Sequence, residues 1–485
     1  MSNYMLKLWN SLTRTREAFG SIDPKEVRMY SCGPTVYQRA HIGNLRAYVA
    51  WDVLKNILAA NGYKVTHCMN ITDVGHLVGD GDEGEDKLQS SAAKEGRTAW
   101  DVAKEYEELF KQDAAALGVR LPEPPLLCRA TEHIAEQIKL IQILDEKGYT
   151  YVTSDGVYYD TSKFPDYGRL SGQPLEEKLE GARVQASSEK RNPTDFALWK
   201  FSYPNGVTRD QYLSDLRPPT SDALPQRHME WESPWGLGFP GWHIECSAMS
   251  RKYLGQPFDI HTGGVDHLPV HHENEIAQSV AAYAVPLANF WIHNEFITVD
   301  GQKMSKSLGN TYTLKDITEH GIEPLSLRYF YLGAQYRSKL NFTWDALRAA
   351  QNALHKLREI VSEWEPATDK APDAEWHSQF MNELDDDLNT PNALAVMWEM
   401  VKSDLDSGRK SANMLVWDKI LGLGLESYIA KPVEIPEQVK LLAQRRWEAK
   451  SRQDWDSADR LRNELDALGW RMEDGPGGYK LKVKI

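Results

Sequence analysis

Two short segments carry residues whose types and order could handle phosphates. One is His41-Ile42-Gly43-Asn44, which closes the stretch 31–44, SCGPTVYQRAHIGN. The other is Gly301-Gln302-Lys303-Met304-Ser305-Lys306-Ser307, in which two lysines bracket a short run after a turn at Asp300-Gly301. Lysine is a mobile point charge on a long stem, suited to phosphate oxygens. A solvated surface loop has the same composition, so the second segment gains weight only from the first. A further constellation mixes sulfur, nitrogen and oxygen donors. Cys246 lies in GWHIECS, and His271 and Glu275 lie in HHENE. Positions four apart share a helix face, so His271 and Glu275 can converge on one ion. Cys32 offers a fourth donor. This mixture suits Zn²⁺, while two cysteines so far apart in sequence also read as buried thiols. Near the C-terminus, Trp455 and Asp459 share a helix face, and Asp474 follows in MEDG. Aromatic rings stack on unpaired bases, and carboxylates accept from base amino groups. The plainer reading of that region is a helical cap with a packed tryptophan and ion pairs.

The elements that must position these groups follow an α/β pattern. Residues 26–30 alternate like a strand, and 45–58 carry apolar residues at helical spacing. The stretch between them is then a loop feeding a helix N-terminus, where unpaired N–H groups and the helix dipole favour phosphate. Residues 63–70 read as a second strand. The acidic run 79–86, GDGDEGED, reads as a loop, and 99–117 as an amphipathic helix. LPEPP at 121–125 breaks the pattern. A helix over 131–147 leads into short aromatic strands at 149–153 and 156–160, which look like an inserted domain. Residues 202–234 read as an exposed loop. The α/β pattern resumes with strands at 258–262 and 290–299 around a helix at 271–285. Helices dominate 325–421, and a Pro-marked linker at 431–436 precedes a last helical unit with a glycine-rich tail.

Composition sets outer bounds. A chain of 485 residues exceeds one ordinary core and implies several domains. Hydrophobic content of 41% and charged content of 26% are those of a globular protein. There is no long apolar run and no apolar signal core near the N-terminus, so a cytoplasmic location is expected. Four scattered cysteines with no CxxC exclude a disulfide scaffold. The net charge of −14 argues against a simple polyanion binder, although local basic faces decide that question.

The pair His-Ile-Gly-Asn and Lys-Met-Ser-Lys-Ser resembles the signature motifs of class I aminoacyl-tRNA synthetases. CGPTVY at 32–37, GWHIECSAM at 241–249, HHENE at 271–275 and KMSKS at 303–307 together resemble the cysteinyl-tRNA synthetases over most of the chain. The resemblance implies activation of L-cysteine by ATP and transfer to tRNA-Cys. It implies catalysis by His41, Lys303 and Lys306, and ATP contacts from His41, Gly43, Asn44 and Lys306, with Mg²⁺ accompanying ATP. It implies substrate contacts from Gly33, Thr35, Thr72 and Trp242, and one zinc on Cys32, Cys246, His271 and Glu275. It implies anticodon contacts from Trp455, Asp459 and Asp474, and a monomer. The implied fold is α/β. A Rossmann-like parallel-sheet catalytic domain (1–127 and 241–300) holds an inserted connective domain (128–240). A KMSKS-bearing stem-contact region (301–345), a helical bundle (346–430) and a small C-terminal anticodon-binding domain (431–485) follow.

Several positions depart from the family pattern. Asn44 stands for a second histidine, Pro269-Val270 for Phe-Pro, Glu295 for glycine and Lys450 for arginine, and 203–230 reads as an insertion. His76 beside the acidic run raises an extra metal site against a plain loop. An alternative acceptor is a small amino-sugar, since ligases that join cysteine to one resemble this catalytic half; the C-terminal segment favours tRNA. A catalytically silent paralogue would not need KMSKS and four metal donors.

Overall fold

The computed structural model describes residues 5–74, 87–172, 189–215, 227–367, 371–431, 435–475 and 478–483. The acidic run 79–86 and His76 lie outside them. At the centre is a five-stranded sheet. Its strands are β1 (Glu26–Ser31), β2 (Lys64–Ile71), β3 (Leu127–Arg129), β4 (Phe258–Gly264) and β5 (Ala288–Asn294), in the order β5-β4-β1-β2-β3, and every pair is parallel. Chain order runs outward in both directions from the β1/β4 boundary. In open parallel sheets the crevice at such a switch point, beyond the strand C-termini, is where ligands bind. Both halves of the sheet are needed to make it, although more than two hundred residues separate them.

Helix α1 (Ile42–Ala60) follows β1, and it is buried nearly all round. The sheet covers one side; α2 (Ala99–Ala116) and the helical region cover the rest. This explains how it buries Asp52. Arg328, on a later helix, sits 2.8 Å from Asp52 and also donates to the carbonyls of Leu117 and Leu421. One guanidinium thus ties the catalytic-side helix to the helical region.

A four-stranded antiparallel sheet (Thr150–Thr153, Gly156–Tyr159, Phe196–Phe201 and Gly238–Pro240) lies between β3 and α3 (Trp242–Leu254) in sequence. The helix expected over 131–147 begins with a 3-10 turn, Ala130–His133, and becomes α-helical at Ile134. The exposed loop expected over 202–234 contains a helix, Arg209–Asp215, while 216–226 lie outside the described residues. After β4 comes α4 (His271–Tyr283).

The strand expected over 290–299 is two strands. β5 ends the parallel sheet at Asn294, and β6 (Ile297–Val299) starts a three-stranded sheet with β7 (Gln302–Lys303) and β8 (Leu340–Phe342). The cause is Arg46. Its guanidinium takes the carbonyls of Glu295 and Phe296 at 2.9 and 3.1 Å, so they are withdrawn from the β5 ladder. The glycine-rich tail also differs from expectation. Trp470–Gly475 and Gly478–Val483 pair as an antiparallel hairpin, with Trp470 and Met472 alternating into a small core with Val439, Ala443 and Leu465.

Candidate active site and metal centre

Cys32 follows β1 directly, with its N–H bonded to the Thr262 carbonyl of β4 at 3.0 Å. It therefore sits on the switch point. Gly33 comes next because nothing larger fits: a Cβ there would lie 1.7 Å from the Asn70 carbonyl oxygen. Asn70 Oδ1 in turn accepts the Gly33 N–H at 2.8 Å. The loop then pairs with the end of β2, Val36 N–H donating to Thr72 O and Thr72 N–H to Pro34 O. Cys246 stands on the second turn of α3, and His271 and Glu275 on the first two turns of α4. The four ligand atoms of Cys32, Cys246, His271 and Glu275 lie within 4.8 Å of one another, all buried. His271 Nε2 is 3.0 Å from Glu275 Oε1.

The electrostatics of the cluster fit a cation. Burial pushes the Cys246 thiol up to about 11 and the Cys32 thiol well above its ordinary value, with neighbouring thiol and carboxylate adding to it. Burial likewise pushes His271 down to about 4. Glu275 goes the other way. Burial opposes its ionisation, but His261 and His271 hold its carboxyl down to about 2. Two thiols, a neutral imidazole and a carboxylate in one buried spot are a donor set that a divalent cation completes, by deprotonating the thiols.

A ring of histidines surrounds this set. His272 Nε2 is 3.2 Å from Cys32 Sγ, and His261 Nε2 is 2.9 Å from Glu275 Oε2. Cys32, His261, His272 and Glu275 form a second, overlapping group of possible ligands. Behind them His272 Nδ1 meets His293 Nε2, and His293 Nδ1 meets Ser11 Oγ, both at 2.8 Å. Sequence reasoning missed His261 and His293. Their signal was a histidine near the C-terminal end of each adjacent parallel strand.

The phosphate-type motifs meet at the other end of a cavity of about 730 Å³ lined by Cys32, Gly33, Thr35, His41, Gly43, Asn44, Trp242 and Lys303 among others. His41 is the N-cap of α1. Asn44 N–H donates to His41 Nδ1 at 3.2 Å, and Asn44 Oδ1 accepts the His41 N–H at 3.3 Å. Asn44, the departure from the family motif, thus completes a reciprocal cap. Because Nδ1 accepts, the ring proton belongs on Nε2. The KMSKS segment is joined to this helix start. Ile42 N–H donates to Tyr312 O at 2.8 Å, and Met304 Sδ would lie 3.8 Å from a Cβ at Gly43. Asn310 clamps the segment by accepting from Ser305 N–H and donating to Lys303 O, a role that was not foreseen. Lys306 opens a 3-10 turn, Lys306–Leu308, and its side chain lies outside what is described.

Of two expected substrate contacts, one lines the cavity and the other lies behind it. Trp242, half-buried, stacks on the His271 ring at 4.2 Å and walls the cavity. Thr72 does not line the cavity. It is buried behind the loop, donating to Glu245 Oε2 at 3.0 Å and accepting from Asn70. Asp266 also lines the cavity and was not singled out from the sequence.

Residues 18–219 and 222–352 match the class I (C) tRNA synthetase catalytic-domain family, and 379–404 match the DALR domain. A cysteine–tRNA ligase of Burkholderia lata is 49% identical over 477 residues, covering 98% of this chain and 96% of the relative. The chain belongs to the cysteine–tRNA ligase family. Relatives of the same name from Opitutus terrae and Chlorobaculum tepidum are 42% and 40% identical, each covering at least 97% of both chains. Among solved structures, Mycobacterium tuberculosis methionyl-tRNA synthetase matches at TM-score 0.51 and 15% identity, over 84% of this chain and 92% of that one. Agrobacterium radiobacter LeuRS matches at TM-score 0.53 and 11% identity, over 96% and 97%. These two show the class I fold. These named relatives give the amino-sugar alternative no support.

The anticodon contacts expected from the sequence lie in the C-terminal unit. Trp455 begins α6 (Trp455–Ala467), packed against α5 (Glu437–Ser451), and the residue is 59% exposed. Asp459 is one turn on, exposed, 3.6 Å from Arg462. Asp474 is not a bare acceptor. It takes both Arg446 nitrogens, at 2.9 and 3.3 Å, and Lys450 Nζ at 2.7 Å, and the Arg446 contact holds its carboxyl below the usual range. It fastens the hairpin to α5. No helix among the described residues is long and apolar enough to cross a membrane.

Proposed function

We propose that this chain is a cysteine–tRNA ligase whose choice of amino acid is made by zinc on Cys32, Cys246, His271 and Glu275. The supporting observation is the common cavity: the buried donor set opens onto it through Cys32 and Trp242, and His41 and Lys303 line its other end. Zinc bound there supplies a partner for the substrate's sulfur as thiolate, which the hydroxyl of serine does not match at neutral pH. Size alone discriminates weakly between such near-isosteres.

The chain's own residues supply the rest. The loop at Gly33 and Thr35 receives the amino-acid backbone, and Trp242 closes the wall. The cysteine carboxylate attacks the α-phosphate of Mg²⁺-ATP, giving cysteinyl-adenylate and pyrophosphate. No covalent enzyme intermediate forms, so positioned charge and donors lower the barrier. His41 Nε2–H and the positive end of α1 face the phosphate, and Lys303 and Lys306 follow the charge onto the leaving pyrophosphate. The terminal ribose hydroxyl of tRNA then attacks the carbonyl carbon and AMP leaves. Trp455 and Asp459 read the anticodon, with Asp474 fixing the hairpin beside them. A cytoplasmic location and a monomeric state complete the proposal.

Pyrophosphate exchange tests the reading. Cysteine should support it and serine should not, and the purified protein should charge tRNA with cysteine. Equal exchange with serine would overturn the zinc-based selection.

A further inference from the structure

One wall of the cavity carries two residues that the activation step does not use, Phe296 and Lys339. In the three-stranded sheet, Ile297 pairs with Leu340 and Thr298 pairs with both Asn341 and Lys303. One step back along the parallel pair sets Lys339 beside Phe296. Side chains alternate across a sheet, so Phe296, Thr298, Lys303 and Lys339 share one face, while Ile297 and Val299 enter the core. All four of that face line the cavity. Phe296 is 48% exposed, among the few large apolar side chains so open. Its backbone is nevertheless rigid, since its carbonyl accepts from both Arg46 and Leu340 N–H, at 3.1 and 3.2 Å. Lys339 is exposed, and among the described residues it has no carboxylate partner.

An exposed ring whose backbone is fixed just ahead of β6, beside an unpaired ammonium just ahead of β8, is the chemistry that grips single-stranded nucleic acid: a base stacks, and a backbone phosphate meets the cation. We propose that Phe296 and Lys339 receive the single-stranded 3′ end of the tRNA, the ring under a terminal base and the lysine at a phosphate. The inference rests on the ligase reading, which requires that end to enter this cavity. Phe296 and Lys339 belong to the wall built by the three-stranded sheet, whereas the reacting phosphates of ATP belong at the α1 N-terminus, which favours the tRNA end over ATP as their ligand.

Lys339→Ala should leave cysteine-dependent pyrophosphate exchange within about twofold of wild type. It should raise the KM for tRNA in charging about tenfold and lower the slope of log KM against log salt by about 0.7, the signature of one lost phosphate contact on a single strand. Lys339→Arg should restore both. Phe296→Leu should raise the KM for tRNA about tenfold with the salt slope unchanged, and Phe296→Trp should restore it. Exchange that falls in step with charging would assign these residues to ATP and overturn the proposal. So would an unchanged KM and salt slope in variants of a wild type that charges tRNA. A wild type that exchanges cysteine but charges no tRNA would instead overturn the ligase reading, and this inference with it.

Discussion

Gly33→Ala is a one-carbon change with a large predicted effect. The added Cβ would start 1.7 Å from the Asn70 carbonyl oxygen, whereas real Cβ contacts essentially never fall below 3.0 Å. Neither side can yield easily. Asn70 lies in β2, paired in register with Cys128 of β3, and its side chain already holds the Gly33 N–H. The loop must therefore move by about 1.3 Å, carrying Cys32 with it. Cys32 belongs to a donor set whose atoms lie within 4.8 Å of one another. Misplacing a reacting group by about 1 Å costs on the order of 100-fold in rate. We expect cysteine-dependent pyrophosphate exchange to fall about 100-fold in kcat/KM, equivalent to about 2.7 kcal/mol. Bound metal should fall in parallel, while far-UV circular dichroism is retained. Wild-type exchange and metal content in a folded Gly33→Ala protein would refute the claim that this close approach positions Cys32.

Other perturbations separate the parts of the account. Asp52→Asn leaves Arg328 buried without its partner, so thermal unfolding should show a loss of about 3 kcal/mol. Burial opposes ionisation of Asp52, but Arg328 and Lys55 outweigh it and its folded pKa lies below the ordinary value. Its stabilisation is therefore fully present above about pH 4 and lost as pH falls through the lowered value, a limb that Asp52→Asn should flatten. Lys306→Ala should slow adenylate formation by about two orders of magnitude or more in single-turnover assays, and an unchanged rate would withdraw its assignment. Trp455→Ala should weaken tRNA charging and spare pyrophosphate exchange; equal loss in both would indicate misfolding rather than a tRNA contact.

Much of the site was legible because its chemistry follows local periodicities. His271 and Glu275 converge because they are four apart on a helix, and His41 caps α1 because a strand-loop-helix pattern surrounds it. Cys32 and Cys246 are different. Their donor chemistry suggested a shared ion and the resemblance sharpened it, but no local period joins them; the physical link is the switch point between β1 and β4, a property of strand order. Contacts between distant carbonyls and side chains escaped entirely. Arg46 splitting the 290–299 strand, Asn310 clamping KMSKS, and the histidines behind the donor set leave no periodic trace. Thr72 entered as a substrate contact through the family resemblance; in the structure its hydroxyl meets Glu245 and Asn70, and its backbone pairs with the loop after Cys32. The C-terminal hairpin was hidden by glycines, which usually mark a tail; here Gly475 and Gly478 pair at the facing ends of two antiparallel strands.

Zinc K-edge X-ray absorption on the purified protein, with and without cysteine, tests the central claim most directly. The account predicts one zinc per chain, with two sulfurs at about 2.3 Å from Cys32 and Cys246 and lighter donors from His271 and Glu275. Cysteine should raise the sulfur count to three, and serine should leave it at two. A sulfur count that cysteine does not change would contradict selection of the amino acid by the metal.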